Sequence, residues 1–237
     1  MKKIHIKDKL AELDFPVEVL NLGDFDVIGE FTAKKNRSPD SDLYKKVGCF
    51  YRPNYERGLL IYSLIRNHKV STYLEIGFGR GYSAFCAAKA MDDAGIDGKV
   101  TCIDVKFDQE YLQNLTKVFP ASWFQKMQFV QGPSSETIDK IPNSPEKFDM
   151  IYIDGDHTYD AVKSDWELCK EKWNKVLLFD DYHLPTQEED ANIQCAKVID
   201  QIEGYDKELV IMDRRIFLDD RGLRDEDIDY GQVVMVK

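Results

Sequence analysis

Two acidic segments of the 237-residue chain contain the residue types best suited to chemistry. The first reads D-G-D-H over residues 154–157, and the second is Asp180-Asp181. Either segment alone could be a solvated turn, because Asp-Gly and Asp-Asp are common turn sequences. If the two segments meet, their carboxylates would repel one another, and a divalent cation would remove that repulsion. Oxygen ligands favour a hard cation such as Mg²⁺, which keeps coordination positions for water or substrate oxygens.

A glycine-rich stretch, E-I-G-F-G-R-G over residues 75–81, lies between an apolar run and a predicted helix. Glycine lacks a Cβ atom, so a ligand can approach its backbone closely, and the helix would present free N–H groups at its positive end. Dinucleotide-binding loops read G-x-G-x-x-G, whereas Gly77, Gly79 and Gly81 read G-x-G-x-G. Glu75 would repel a pyrophosphate and would suit a cationic ligand. We therefore expect a small, partly cationic ligand, and a tight turn that binds nothing is the alternative.

Residues after the next two predicted strands could extend this site. Asp104 follows the glycines at close to the roughly 20-residue offset of a ribose-binding acid, and a carboxylate can accept hydrogen bonds from both ribose hydroxyls. A turn or helix-capping role is the alternative for Asp104. Gly132, Ser134 and Ser135 follow the third strand, where Ser134 has the residue type of a helix N-cap.

Apolar runs that alternate with helical patterns indicate the elements that carry these residues. The predicted strands are Thr72–Ile76, Lys99–Asp104, Met127–Gln131, Met150–Asp154, Lys175–Asp180, Glu208–Met212 and Gln232–Val236. The predicted helices are Pro53–His68, Tyr82–Ala94, Gln109–Val118, Ser134–Asp139, Ala161–Lys172 and Asp190–Glu203. This order predicts a doubly wound α/β fold with a mostly parallel, seven-stranded sheet that ends in an antiparallel C-terminal hairpin.

The glycine-rich stretch and the acidic segments all follow strands of this sheet. In open α/β sheets, ligands bind beyond the carboxyl ends of the strands. We therefore expect one domain over residues 53–237 with a ligand crevice at that edge, preceded by an N-terminal extension or cap over residues 1–52. Residues 1–52, 185–189 and 214–230 contain no recognisable motif, and we expect substrate specificity to lie there.

The stretch Tyr73–Ser83 resembles motif I of the class I S-adenosylmethionine (AdoMet) methyltransferases, whose ligand carries a sulfonium and an ammonium group. The D-G-D-H and D-D segments resemble the metal-dependent small-molecule O-methyltransferases, chiefly the macrolide and aminocoumarin sugar enzymes and more distantly the catechol enzymes. The resemblance covers roughly residues 53–237 and implies a Rossmann-like methyltransferase fold. The AdoMet-binding residues that it implies are Glu75, Gly77, Gly79, Gly81, Asp104, Gly132, Ser134, Ser135 and Asp154. The implied Mg²⁺ ligands are Asp154, Asp180 and Asp181.

The resemblance implies methyl transfer from AdoMet to a hydroxyl of a small polyhydroxylated molecule, such as a sugar or a natural product. A hydroxyl is a poor nucleophile until it loses its proton, and metal coordination would lower its pKa. His157 matches the base of the catechol and macrolide-sugar relatives, and Asp156 matches the base of the aminocoumarin relatives. We favour His157, whose unperturbed pKa is about 6.5; capping a helix or orienting an aspartate is the alternative.

Three other functions are compatible with parts of this pattern. A metal-independent methyltransferase acting on nitrogen or carboxylate would leave the acidic segments without a role. A binding module that retains AdoMet but lacks catalysis is disfavoured by the intact set Asp154, His157, Asp180 and Asp181. A nicotinamide-dependent reductase is disfavoured by the glycine spacing and by Glu75.

Composition restricts the partners and the compartment. The net charge of −11 argues against non-specific binding to nucleic acid. No apolar run reaches transmembrane length, and the N-terminal residues lack a signal-peptide core. The five cysteines are scattered without C-x-x-C spacing, which predicts buried free thiols in a reducing compartment. We expect a soluble cytoplasmic protein with no membrane partner; a homo-oligomer remains one option for its assembly.

Overall fold

The computed structural model of the chain describes residues 1–15, 55–183, 193–212 and 230–237. The described strands are β1 Lys2–His5, β2 Thr72–Ile76, β3 Lys99–Asp104, β4 Met127–Gln131, β5 Phe148–Ile153, β6 Trp173–His183, β7 Lys207–Ile211 and β8 Tyr230–Val236. The described helices are α1 Ile6–Glu12, α2 Tyr55–His68, α3 Tyr82–Asp93, α4 Gln109–Leu115, α5 Ala121–Lys126, α6 Ser134–Thr137, α7 Tyr159–Cys169 and α8 Cys195–Gln201. A short 3₁₀ helix follows α6 at Ile138–Lys140.

These strands form one sheet in the order β1-β7-β8-β6-β5-β2-β3-β4. Strand β8 runs antiparallel to both of its neighbours, β6 and β7, whereas the other pairs are parallel. The doubly wound α/β fold and its antiparallel C-terminal pair are therefore confirmed. An eighth strand, β1, joins the edge of the predicted seven, because Lys2–His5 pairs in parallel with β7. The predicted boundary at residue 52 stays a prediction, since residues 16–54 lie outside the described part of the chain.

The sheet is covered on both faces, as the alternation of its side chains requires. In β2, Tyr73 packs into the core shared with α2 to α5, whereas Leu74 packs into the core shared with α7 and α8. All four cysteines among the described residues are buried and free, as expected, and Cys49 lies outside those residues. Among the described helices, none combines the length and the apolar composition needed to cross a bilayer.

The chain order places a crevice between β2 and β5. From β2 the sheet grows outward through β3 and β4, and it then continues on the other side of β2 through β5 and β6. Loops that follow β2 and β5 therefore leave the sheet side by side at its carboxyl edge, where ligands bind in such folds. The observed bounds agree with the prediction most closely for β2, β3 and β4, and they differ most for β6, which extends to His183.

Candidate active site

The glycine loop that follows β2 is built for close backbone contact. Gly77, Gly79 and Gly81 all have positive φ angles, of 93°, 51° and 80°, which other residues adopt only at a cost. A Cβ atom at Gly77 would lie 1.9 Å from the carbonyl oxygen of Asp154, in the turn after β5. Gly81 precedes the first residue of α3. The loop therefore directs the chain into α3 while its backbone touches the start of the D-G-D-H segment.

Glu75 lies beneath this loop with its side chain fully buried. The Tyr73 hydroxyl donates a hydrogen bond to Glu75 Oε2 at 2.8 Å, and the Ser83 hydroxyl donates one to Oε1 at 2.7 Å. Burial raises the pKa of Glu75 to about 8, although both hydrogen bonds oppose that shift. Both carboxyl oxygens thus have partners inside the protein, and the expected contact of Glu75 with a cationic ligand stays a prediction.

Asp104, at the end of β3, holds the glycine loop in place. Its Oδ2 accepts hydrogen bonds from the backbone N–H groups of Phe78 at 2.9 Å and Gly79 at 3.0 Å. Its backbone carbonyl accepts from Gly132 N at 2.8 Å, which ties the loop after β4 to the same edge. Asp104 therefore lies beside the loop, where a ribose would be expected, and its ribose contact stays a prediction.

The segment after β4 differs in one respect from the prediction. Ser134 does not cap α6, because Pro133 occupies the N-cap position and Ser134 is the first helical residue. The Ser134 hydroxyl instead donates to Asp165 Oδ1 on α7 at 2.5 Å, a charge-assisted bond that a neutral capping bond would not match. Ser135 is exposed. The roles predicted for these serines and for Gly132 along a cofactor stay predictions.

Asp154, Asp180 and Asp181 come together at the carboxyl ends of β5 and β6, and we call them the acidic cluster. Neighbouring residues of a regular strand point to opposite faces of a sheet, so Asp180 and Asp181 could not both point here in a regular β6. The pairing of β6 with β8 shifts register between Phe179 and Tyr182, and Asp181 has a φ of +46°. This bulge turns both carboxylates toward the same place.

Neutral donors from one neighbouring strand, β8, position two of these carboxylates. The Tyr230 hydroxyl donates to Asp181 Oδ1 at 3.0 Å, and Gln232 Nε2 donates to Asp180 Oδ1 at 2.9 Å. Both donors belong to β8. Burial raises the pKa of Asp180 well above its ordinary range, while His157 and Arg57 hold the pKa of Asp181 well below its ordinary value against the effect of burial.

His157 lies between two members of the acidic cluster. Its Nε2 is 3.3 Å from Asp154 Oδ1, and its Nδ1 is 3.2 Å from Asp181 Oδ2. Burial alone would lower the pKa of His157, but these two carboxylates raise it to about 10. Asp156 is exposed, and its Oδ1 accepts a hydrogen bond from Thr158 N at 2.9 Å. The structure thus brings His157 into the cluster and leaves Asp156 in the turn before α7.

Arg57 is a site residue that the sequence analysis missed. Its guanidinium enters the acidic cluster from α2, with Nη1 3.2 Å from Asp154 Oδ2 and Nη2 in contact with Asp180 Oδ2. A signal for this position exists in the sequence, because Arg57 lies four and seven residues before Ile61 and Leu64. Both of those residues are fully buried, so Arg57 lies on the buried stripe of the helix.

Sequence comparison matches residues 74–182 to a family model described as a methyltransferase domain. Caffeoyl-CoA O-methyltransferase 2 of Petunia hybrida is 27% identical over 104 residues, which are 43% of this chain and 41% of that protein. Tapetum-specific methyltransferase 1 of Arabidopsis thaliana is 29% identical over 105 residues, 44% of this chain and 43% of that protein. The matches span about two fifths of the length of these curated relatives.

Solved structures show the same fold over most of the chain. The O-methyltransferase TomG of Streptomyces achromogenes, solved with SAM (AdoMet), has a TM-score of 0.58 at 14% identity and covers 92% of this chain and 100% of its own. An O-methyltransferase of Bacillus cereus, solved with SAH, has a TM-score of 0.54 at 16% identity, over 78% of this chain and 82% of its own. At these identities the likeness establishes the fold.

Proposed function

We propose, from the match of residues 74–182 to a methyltransferase-domain model, that this chain is an AdoMet-dependent O-methyltransferase. Its substrate would be a hydroxyl of a small polyhydroxylated molecule, a sugar or a natural product. One observation carries the proposal: the glycine loop lies against the D-G-D-H turn, where a Cβ on Gly77 would lie 1.9 Å from the Asp154 carbonyl oxygen. A methyl donor on the loop and a hydroxyl at the acidic cluster would therefore be neighbours.

The acidic cluster has dimensions and donors that fit a divalent cation. One ligand atom each from Asp154 and Asp180, two members of the cluster, and from the adjacent His157 lies within 4.8 Å of the others; Asp181 contacts His157 and joins the set on the family resemblance. Two ligands on opposite sides of Mg²⁺ would be about 4.2 Å apart, since each bond is about 2.1 Å long. Asp154, Asp180 and Asp181 would hold the ion. When bound, it would lower the pKa of a substrate hydroxyl and fix its orientation.

His157 is the better-placed proton acceptor. Its ring contacts Asp154 and Asp181, whereas Asp156 is exposed and engaged by Thr158 N. With a pKa of about 10 the imidazole is protonated at neutral pH, so it accepts a proton only when its two carboxylates are also neutralised by another cation. Proton transfer and cation binding at this cluster would therefore be coupled.

Titration of the full chain with AdoMet, followed by labelled methyl transfer to a panel of polyols and phenols, tests the proposal. We expect AdoMet binding and transfer to a vicinal diol, with transfer lost in EDTA. Absence of AdoMet binding would refute the methyltransferase function, and undiminished transfer in EDTA would refute the Mg²⁺ role.

Two matched variants separate the candidate bases. His157→Ala should lower turnover by 10²-fold or more, the usual contribution of a general base, while AdoMet binding is retained. Asp156→Asn should leave turnover within a few-fold of the wild type. The opposite ranking of the two variants would reassign the base to Asp156.

A further inference from the structure

The acidic cluster already holds a cation that belongs to the chain. The Arg57 guanidinium lies 3.2 Å from Asp154 Oδ2, contacts Asp180 Oδ2 and is 3.7 Å from Asp181 Oδ1. Only 17% of its side chain is exposed. One buried guanidinium therefore faces all three carboxylates that we assign to the divalent cation.

Buried carboxylates require this positive charge. Carboxylates removed from water at such short range repel one another, and leaving them unpaired would be costly. Arg57 reduces that repulsion, and His157 adds a second positive charge when protonated. The cluster is consequently stable as a set of ion pairs with no other cation present.

A divalent cation held by these carboxylates would compete with Arg57 for their oxygen atoms. Mg²⁺ requires direct bonds of about 2.1 Å to its carboxylate ligands, and Oδ2 of Asp154 and Oδ2 of Asp180 both face Arg57. A dication between those oxygens would also repel a guanidinium at the same position. Arg57 and a divalent cation therefore cannot occupy the cluster together in this arrangement.

The carboxylates have supports that do not depend on Arg57. Gln232 holds Asp180 through Oδ1, and Tyr230 holds Asp181 through Oδ1. The second oxygen of each carboxylate faces another side chain: Asp180 Oδ2 faces Arg57, and Asp181 Oδ2 faces His157. Removal of the guanidinium would thus leave a set of carboxylate ligands that other contacts still position.

We propose that Arg57 is a built-in competitor for the divalent cation. The guanidinium neutralises the acidic cluster when the cation is absent, and it leaves Asp154 and Asp180 when the cation binds. This inference rests on the proposed function, which assigns Asp154, Asp180 and Asp181 to the cation. It makes Arg57 a positioning residue that lowers the cation affinity of the enzyme.

The competition can be tested by measuring how tightly the full chain binds Mn²⁺ in the absence of AdoMet and substrate. The electron paramagnetic resonance signal of free Mn²⁺ reports the binding. Arg57→Gln keeps a polar side chain but loses the charge, and we expect it to bind Mn²⁺ roughly tenfold or more tightly than the wild type, equivalent to about 1.4 kcal/mol. Arg66→Gln is the matched control, because Arg66 lies on the same helix and bonds Tyr62. It should bind Mn²⁺ with wild-type affinity.

Thermal melting provides a second readout. In EDTA, Arg57→Gln should melt at a lower temperature than the wild type, since its buried carboxylates lose their partner. Saturating Mn²⁺ should raise the melting temperature of Arg57→Gln more than that of the wild type. If Arg57→Gln does not fold, Arg57→Lys is the variant to test. A lysine contacts fewer carboxylate oxygens than an arginine, so Arg57→Lys should bind Mn²⁺ more tightly than the wild type.

An Mn²⁺ affinity that is unchanged or weaker in the folded Arg57 variant overturns the inference, and so does failure of both proteins to bind Mn²⁺. Those results would leave AdoMet binding untouched. A different result would refute the methyltransferase proposal: a wild-type chain that does not bind AdoMet, whatever its affinity for Mn²⁺.

Discussion

At the scale of single residues, Gly77 is the point where the glycine loop meets Asp154 of the acidic cluster. Alanine there would put its Cβ 1.9 Å from the Asp154 carbonyl oxygen, at a φ of +93°. We expect Gly77→Ala to lower the free energy of unfolding by at least about 2 kcal/mol and to weaken AdoMet binding, because the loop must shift. Urea unfolding and calorimetric titration measure the two effects.

Gly95→Ala is the matched control for that variant. Gly95 also has a positive φ, +63°, but a Cβ there would meet nothing within 4 Å. Gly95→Ala should lower the free energy of unfolding by only about 1 kcal/mol and should bind AdoMet with wild-type affinity. Equal losses in the two variants would mean that backbone conformation, and not the close approach to Asp154, makes glycine necessary at position 77.

Glu75 gives the site a pH-dependent contribution to stability. Its pKa rises from 4.5 to about 8 in the folded protein, so between these values the folded state binds more protons than the unfolded state. The free energy of unfolding therefore falls as the pH rises through this range. Glu75→Gln should remove that dependence on pH. Between pH 5 and pH 8, the free energy of unfolding of Glu75→Gln should therefore rise relative to that of the wild type by on the order of 3 kcal/mol.

Urea unfolding of both proteins at several pH values measures this difference. Glu146→Gln is the control, since Glu146 is exposed and should leave the slope unchanged. A stability difference between Glu75→Gln and wild type that stays constant from pH 5 to pH 8 would contradict the raised pKa.

At the scale of elements, the bulge in β6 determines whether the acidic cluster forms. Asp181 has a φ of +46°, a conformation that asparagine tolerates and β-branched residues do not. Asp181→Val should therefore be less stable than Asp181→Asn by about 2 kcal/mol, which urea unfolding measures. Similar stabilities would show that the bulge relaxes when the carboxylate is removed.

The same bulge explains what sequence patterns could and could not predict of the site. The positions of Asp154, His157, Asp180 and Asp181 after predicted strands were enough to predict that they lie at one edge of the sheet, because the carboxyl ends of parallel strands share that edge. These positions did not reveal that β6 continues past Asp180 to His183, since a bulge depends on pairing with β8. Arg57 was missed because its partners lie on distant strands.

At the scale of the whole molecule, the N-terminal residues belong to the sheet. Leu10 of α1 is fully buried in the core that also contains α2. Leu10→Ala should lower the free energy of unfolding by about 2–4 kcal/mol. The N-terminal residues should unfold together with the rest of the protein in a single transition, and the affinity for AdoMet should not change. Lys7→Ala, at an exposed position of the same helix, should stay within about 0.5 kcal/mol of wild type.

Fold prediction succeeded where local patterns were sufficient. The bounds of β2, β3 and β4 were predicted as the structure has them. Strand β1 was missed because its assignment depends on a partner from the far end of the chain, Lys2 pairing with Glu208. Helix α5 was missed because six residues carry too little periodicity to identify a helix.

Strand β8 is made last among the described strands, yet it lies between β6 and β7. During translation, β6 and β7 are both synthesised before the strand that lies between them. Tyr230 and Gln232, which hold Asp181 and Asp180, are therefore synthesised after both carboxylates that they position. A nascent chain stalled before residue 230 would therefore contain the glycine loop without a finished acidic cluster.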